Sequence, residues 1–426
     1  MTLPRLEDAR TAARNGNILK AEQIYSEILE LKSADTYHRN ENLIDMQETG
    51  IQELGELYRD NNNEEKLVEL VSKARHTMGA FAKSKTAKII KNLIDLIEHS
   101  NFSDALSVTI KTTMECIDWA IDEKRTFLRQ ALQIRLASLF YKNKQYMKSL
   151  SEIAPLLREF KKLDDKSSLV EVQLLESKNY FQLKNHAKSK AAITSARTSA
   201  NAIYCPSQLQ AELDLMSGVL HAEDKDFSTA FSYFYEAFEN YQIHSNEEKT
   251  IKVLKYMLLC KIMLNSIDDV NSLLNNKNVS KYAQGKDIEA MKSVSMAHSN
   301  RSLKELEDCL KSYVTELTQD PIIRSHLADL YDSLFQKNLL KLIEPYSCIE
   351  ISHISSMIGL PKNIIESKLS NMILDKVFYG VLDQGNGWLI IYEEPFKDEM
   401  YDLNLNVIRT MSNVVDLLYE KASLLE

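Results

Sequence analysis

Tyr346-Ser347-Cys348-Ile349-Glu350-Ile351-Ser352-His353-Ile354-Ser355-Ser356-Met357-Ile358-Gly359-Leu360-Pro361 opens the stretch that decides the fold. Before it, a helical pattern from Pro321 carries Leu327, Leu330, Tyr331, Leu334, Leu339 and Leu342 on its apolar side, and Pro345 ends it. Residues 348–351 suit a short strand. Ser352 is placed to cap a second helix ending at Gly359. Pro361 suits the first turn of a third helix, on which Ile365, Leu369, Met372 and Ile373 share a face. Residues 378–382 and 388–392 are rich in strand formers. Between them, Asp383-Gln384-Gly385-Asn386-Gly387 contains an Asn-Gly hairpin signal. Helix, short strand, two helices and a hairpin is the order of a winged helix.

A winged helix often reads DNA, but the charges here oppose that role. Residues 351–395 hold three Lys (Lys362, Lys368, Lys376), no Arg and five acidic residues. Phosphate neutralisation needs a basic stripe, and bidentate guanine contact needs Arg. The module therefore reads as a protein-interaction element. The open edge of its hairpin is suited to pairing with a neighbour's sheet, and Phe378, Val381, Trp388 and Ile390 are the candidate interface residues.

Outward from this stretch the chain is helical. Of 426 residues only 10 are Gly and 7 Pro, and 44% are hydrophobic, enough for a sizeable core. A net charge of −9 disfavours broad electrostatic binding to nucleic acid or to an anionic membrane. Cys116, Cys205, Cys260, Cys309 and Cys348 include no CxxC pair, a pattern of reduced thiols rather than of a disulfide framework or zinc site. The charged N-terminus has no signal-peptide run, and no apolar stretch is long enough to cross a bilayer. These features predict a soluble chain.

Small residues recur twelve apart around polar turns: Ala9 and Ala21, Ala137 and Ser149, Ser177 and Ser189, Gly218 and Ala230. The turns contain Asn15-Gly16-Asn17, Lys142-Asn143-Lys144, Lys184-Asn185 and Asp224-Lys225-Asp226. A small side chain on each helix lets the two backbones of a hairpin approach, as in tetratricopeptide-type repeats. The second members fall at Ser149, Ser189, Ala230 and Val270, a period near forty. An apolar residue often stands three before them, at Ile18, Phe102, Tyr146, Phe227 and Ile267; His186 breaks this rule, and Leu67 replaces the small residue in the second unit. About seven stacked hairpins predict an arm on the order of 70 Å long. Polar segments at 32–42 and 275–282 are expected to be connections, and Asp164-Asp165-Lys166-Ser167-Ser168 a capped helix start. The expected fold is thus an all-α solenoid of TPR-like hairpins over 1–320, whose last hairpins serve the following module, a winged helix over 321–395, and a C-terminal amphipathic helix over 396–426. In that helix Leu403, Val407, Met411, Val414, Leu418, Ala422 and Leu425 recur at three or four residues. It can fold back on its own domain or join a helix bundle with other chains; Val407, Met411, Val414 and Leu418 are the candidate bundle contacts.

Helical repeats leading into this winged helix resemble the PCI domain, shared by subunits of the proteasome lid, the signalosome and translation initiation factor three. Longer segments resemble one proteasome lid-subunit family in particular. They are Phe81-Ala-Lys-Ser-Lys-Thr, Arg158-Glu-Phe-Lys-Lys-Leu-Asp-Asp-Lys-Ser-Ser-Leu, Ala211-Glu-Leu-Asp-Leu-Met-Ser-Gly, Val253-Leu-Lys-Tyr-Met-Leu-Leu and Ile373-Leu-Asp-Lys-Val-Phe-Tyr-Gly-Val-Leu-Asp-Gln-Gly-Asn-Gly-Trp. The resemblance implies a non-catalytic scaffold of the cytoplasm and nucleus, needed for lid assembly and for ubiquitin-dependent degradation. Its N-terminal arm would reach a base ATPase and a 20S core α-subunit. Its winged helix would join other PCI lid subunits, and its last helix the lid helical bundle. A signalosome scaffold and an RNA-carrying PCI protein are the alternatives.

No chemistry is legible beside this. The nine His form neither HxH nor HExxH, and there is no P-loop. Gly385-Asn386-Gly387 lies in a hairpin rather than between a strand and a helix, so it is no dinucleotide loop. Cys205 and His221 have no motif that would position them as nucleophile and base. No catalytic, cofactor-binding or metal-binding residue is expected. One surface feature stands out. Between Ser72 and Asn92 the chain has Lys73, Arg75, Lys83, Lys85, Lys88 and Lys91 and no acidic residue. Lys83, Lys85, Lys88 and Lys91 form a candidate basic patch for an acidic partner surface; a solvated helix face is the other reading.

Overall fold

With few breakers and frequent Leu, Ala, Lys and Glu, most of the described residues fold as short-looped helices. A computed structural model describes residues 3–14, 17–30, 41–61, 63–77, 83–98, 105–244, 246–282, 285–318, 320–393 and 399–424. It divides into two compact units, Met1–Cys260 and Lys261–Glu426.

The first unit is a succession of helical hairpins: α1 Leu3–Arg14 with α2 Ile18–Glu30, α3 Glu41–Asp60 with α4 Glu64–Thr77, α5 Lys83–Glu98 with α6 Ala105–Asp122, α7 Thr126–Lys142 with α8 Tyr146–Leu163, α9 Lys166–Gln182 with α10 His186–Asn201, and α11 Ser207–Glu223 with α12 Phe227–Ile243. Helix α13, Glu247–Met263, follows and ends in the second unit. Each helix packs on its chain neighbours, so the apolar core is built up along the sequence. One buried cluster runs from Leu6 and Tyr25 through Ile51, Leu67, Ile90 and Cys116 to Leu132 and Phe140.

The twelve-residue pairs sit where the hairpins cross. Ala9, Ala21, Ala137, Ser149, Ser177, Ser189 and Ala230 are fully buried. Ser149 Oγ donates to the Ala137 carbonyl at 2.8 Å. Ser189 Oγ donates to the Ser177 carbonyl at 2.9 Å, and Ser177 Oγ to the Ser189 carbonyl at 3.1 Å. Each hydroxyl is thus satisfied across the crossing, which removes the cost of burying it. Asn179 Nδ2 donates to Ser149 Oγ at 3.0 Å and ties one hairpin to the next. A Cβ at Gly218 would lie 2.6 Å from the Phe234 ring, so only Gly fits there.

The hairpin turns share one geometry. Lys144, Lys184 and Lys225 adopt left-handed φ of 58–65°, and the next residue's N–H bonds back five residues, from Gln145 to Phe140, Asn185 to Tyr180 and Asp226 to His221. This is the Schellman closure, here without glycine. Asn185 and Asp226 then cap the following helix, accepting from Lys188 N and Thr229 N. His186 keeps the plugging role despite its polarity: its ring meets Phe181 edge-on at 5.8 Å, as Tyr146 meets Tyr141 at 5.8 Å one hairpin earlier. Phe102 lies outside the described residues. Asp165 caps α9 as expected, accepting from Ser168.

Two expected connections differ. Residues 32–40 of the first lie outside the described residues, and α3 already begins at Glu41. The second holds a helical turn, because Val279 is buried and anchors it. The second unit contains α14 Ile267–Leu274, that turn as α15 Lys277–Ser280, α16 Lys286–Asn300, α17 Leu303–Ser312, α18 Val314–Thr318 and α19 Pro321–Ile343. The winged helix follows as β1 Cys348–Glu350, α20 Ile351–Ile358, α21 Lys362–Leu374, β2 Tyr379–Asp383 and β3 Trp388–Tyr392, and α22 Glu399–Ser423 comes last. The sheet order is β1-β3-β2, antiparallel throughout. Ser352 is not the cap of α20. Strand β1 runs into the helix without a loop, so Glu350 takes the cap position, and Ser352 lies in the first turn with its hydroxyl on the Glu350 carboxylate. Pro361 likewise sits one position earlier than expected, at the cap of α21. Gly359 ends α20 with φ 83°, and Gly387 closes the hairpin with φ 72°. In that turn the Asp383 carboxylate accepts from the amides of Gly385 and Asn386.

Candidate assembly surfaces

The winged-helix sheet has one buried and one open face, set by strand alternation. Leu389 and Ile349, which are paired across β3 and β1, are buried with Ile351, Ile354, Ile365, Leu369 and Met372 of the two helices. On the other face of β3, Trp388 and Tyr392 are 49% and 54% exposed, and Ile390 is half-buried. Val381 stands directly opposite Ile390 and is 50% exposed. The fold therefore brings Val381, Trp388 and Ile390 together. It separates Phe378, which precedes β2 and whose ring lies beside Gly380, 3.1 Å from where a Cβ would stand. Sequence reasoning missed Tyr392, though its step of two from Ile390 was a usable signal. Strand β2 forms an edge of the sheet.

Helix α22 carries a long run of exposed apolar side chains. All of its side chains described, from Met400 onward, are exposed, and among the described residues it packs on nothing that would cover a face. Val407, Met411, Val414 and Leu418 are 54–65% exposed. A second row, Tyr401, Ile408, Val415 and Ala422, recurs every seven residues on the flank of the first. Together with Leu403 and Leu417 they widen the apolar arc to roughly 200° at 100° per residue. Asp402, Arg409, Asp416 and Glu420 occupy the remaining arc. A two-stranded coil needs only a narrow seam, and this arc is wider than that. Of the two alternatives for this helix, the structure shows it not folded back. Leu425 lies outside the described residues.

The basic patch falls at the start of α5. The Lys83 side chain lies outside the described residues. Lys85 Nζ is 3.8 Å from the Glu48 carboxylate, while Lys88 and Lys91 are exposed. Two further cations of the stretch are engaged on α4: Lys73 lies 3.9 Å from Glu69, and Arg75 holds the Glu115 carboxylate and carbonyl, each at 3.0 Å. The odd-numbered helices carry a ladder of ion pairs. Arg135 of α7 reaches Glu98 and Asp95 of α5, and Lys178 of α9 and Lys249 of α13 both hold Glu212 of α11. Burial would raise the Glu212 carboxyl, yet the two lysines hold it below the usual range. These pairs fix helix faces.

On α21, Lys368 is turned onto Asp332 of α19 at 3.5 Å and its side chain is largely covered. Among the described residues no group of His, Cys, Asp and Glu is placed to hold a metal ion. Burial pushes the Cys116 and Cys260 thiols up to about 11 and about 12, away from nucleophilic character. Among the described residues no helix is long and apolar enough to cross a membrane.

Three family models match the chain in order. The 26S proteasome regulatory subunit RPN6 N-terminal domain matches residues 2–143, the PCI domain residues 310–393, and the 26S proteasome subunit RPN6 C-terminal helix domain residues 397–423. The 26S proteasome regulatory subunit RPN6 of Saccharomyces cerevisiae is 51% identical over 440 aligned residues, covering 100% of both chains. A probable 26S proteasome regulatory subunit rpn6 of Schizosaccharomyces pombe is 49% identical, covering 99% of this chain and 98% of its own. The 26S proteasome non-ATPase regulatory subunit 11 of Dictyostelium discoideum is 45% identical, covering 95% of each.

Proposed function

The chain belongs to the RPN6 family of 26S proteasome regulatory subunits, and from that premise we propose that it is a non-catalytic scaffold subunit of the regulatory-particle lid. It braces the lid against the base ATPases and the 20S core for ubiquitin-dependent degradation, and lid assembly needs it. The observation that carries this reading is α22, a 25-residue helix whose wide apolar arc is wholly exposed. Such a surface in water is the signature of an interface awaiting partners. Burying one Val, Leu or Met side chain contributes about 1.5–3 kcal/mol, so two rows of them make a strong anchor.

Three working parts are assigned: repeats over 1–320, the winged helix over 321–395 and the terminal helix over 396–426. The open sheet face at Val381, Trp388, Ile390 and Tyr392 meets another PCI lid subunit. Helix α22 enters a lid helical bundle through Val407, Met411, Val414 and Leu418. The first repeats, with Lys88 and Lys91 exposed, meet an acidic surface of an ATPase or of a core α-subunit. Nucleic acid is no partner: the winged helix is acidic on balance, and Lys368 is committed to Asp332. The protein works in the cytoplasm and nucleus. Affinity purification of the full chain with mass spectrometry tests the reading. Recovery of proteasome ATPases and core α-subunits is expected; recovery of signalosome subunits instead overturns it.

A further inference from the structure

The first unit holds a groove lined by none of the residues proposed above for assembly. It lies across α7, α9 and α11, the first helices of three consecutive hairpins. Ile134, Leu175 and Leu209, all only partly buried, give it an apolar lining, and the Lys178–Glu212 pair at 2.7 Å forms part of its wall. Within this lining stands Glu171, with no ion pair or hydrogen bond among the described residues. Its charges are already arranged against it. Lys178 is spent on Glu212, and Asp165 and Glu212 add like charge that Lys91 offsets only in part. Partial desolvation and these carboxylates raise the Glu171 carboxyl above its usual range although the residue keeps an exposed surface, and a docked cation would offset the like charge.

We propose that this groove binds an extended polypeptide segment that places a Lys or Arg against Glu171 between aliphatic side chains. An apolar lining with one carboxylate that has no ion-pair or hydrogen-bond partner among the described residues matches a cation flanked by apolar residues. The same carboxylate repels phosphates, which disfavours nucleic acid. Consecutive repeats form the extended surface that an unfolded segment can follow. The Lys178–Glu212–Lys249 ladder holds α9, α11 and α13 in place, so the groove is set before the segment arrives.

The test uses the full chain and a fluorescein-labelled nonapeptide of Ser and Ala with a central Leu-Lys-Leu, read by fluorescence anisotropy. The control is the same peptide with a central Leu-Glu-Leu. Saturable binding of the Lys peptide is expected, with the Glu peptide at least about ten-fold weaker. Glu171→Gln should weaken the Lys peptide about five-fold, and Glu171→Lys should reverse the preference, with thermal unfolding unchanged. Equal binding of both peptides, no saturation by either, or affinity unchanged in Glu171→Lys overturns the proposal. Because α22 and the winged helix are untouched, incorporation into the proteasome stays normal in both variants.

Discussion

One hydrogen atom at position 218 decides how closely α11 and α12 approach. A methyl there meets the Phe234 ring at 2.6 Å, so Gly218→Ala should destabilise the first unit by about 1–3 kcal/mol in urea unfolding, and adding Phe234→Leu should restore part of the loss. The turn lysines run the other way. Lys184 holds φ 58° without glycine, so Lys184→Gly should be neutral or stabilising by up to about 1 kcal/mol, while Lys184→Val should destabilise by about 1–2 kcal/mol. Asp214 gives a pH signature. Its carboxyl is buried, receives only Gln210 Nε2 at 3.1 Å on each oxygen, and is pushed up from 3.8 to about 6, chiefly by burial. Between those values the folded chain holds a proton that the unfolded chain has lost, so this group's stabilisation falls as pH rises towards 6. Asp214→Asn should therefore raise the unfolding free energy near pH 8 by an amount on the order of 1–3 kcal/mol, with the gain shrinking below pH 6 and nearly gone at about pH 3.5.

Elements, rather than residues, carry the interfaces. The four candidate contacts of α22 were legible because a step of three or four on a charged helix marks one face. The flanking row of Tyr401, Ile408 and Val415 widens that face beyond the narrow seam of a two-stranded coil. Met411→Asp with Leu418→Asp should abolish entry into a reconstituted lid, scored by native gel, yet leave the melting temperature of the free chain unchanged, since both side chains are exposed. Loss of folding in the free chain would instead assign them to its core. The sheet behaves differently. Four candidates read from composition become three on one face, because the β2–β3 register puts Val381 opposite Ile390 and leaves Phe378 ahead of the strand.

At the scale of the whole molecule, the net charge of −9 sets the background against which the cations of α4 and α5 are read. Glu69, Glu115 and Glu48 claim Lys73, Arg75 and Lys85, so the patch is narrower than its sequence suggests. Reversing Lys83, Lys85 and Lys88 to Glu should weaken binding to isolated 20S core at low salt, with most of the effect lost near 0.5 M salt. An unchanged affinity in a pull-down at low salt would remove this surface from the assembly. The same pairings explain why an acidic chain can keep closely packed helices: unlike charges meet from one hairpin to the next, at Arg10–Glu53, Lys66–Glu22, Arg135–Glu98 and Lys178–Glu212.

The sequence by itself determined the repeat, the winged helix and the terminal apolar stripe. Each rests on spacing along the chain: twelve residues across a hairpin, two along a strand, three or four along a helix. Local covalent geometry enforces those periods, so they survive without knowledge of neighbours. The Ser177–Ser189 crossing, the turn at Lys184–Asn185 and the β2–β3 hairpin were all visible in this way. Only the tertiary structure decided which charges were already spent, that Glu350 rather than Ser352 begins α20, and that Glu171, without a bonded partner among the described residues, lines a groove of three helices. Only it showed α22 uncovered. Partners distant in sequence settle these points, and side-chain pairing across tens of residues leaves no period in the chain to read.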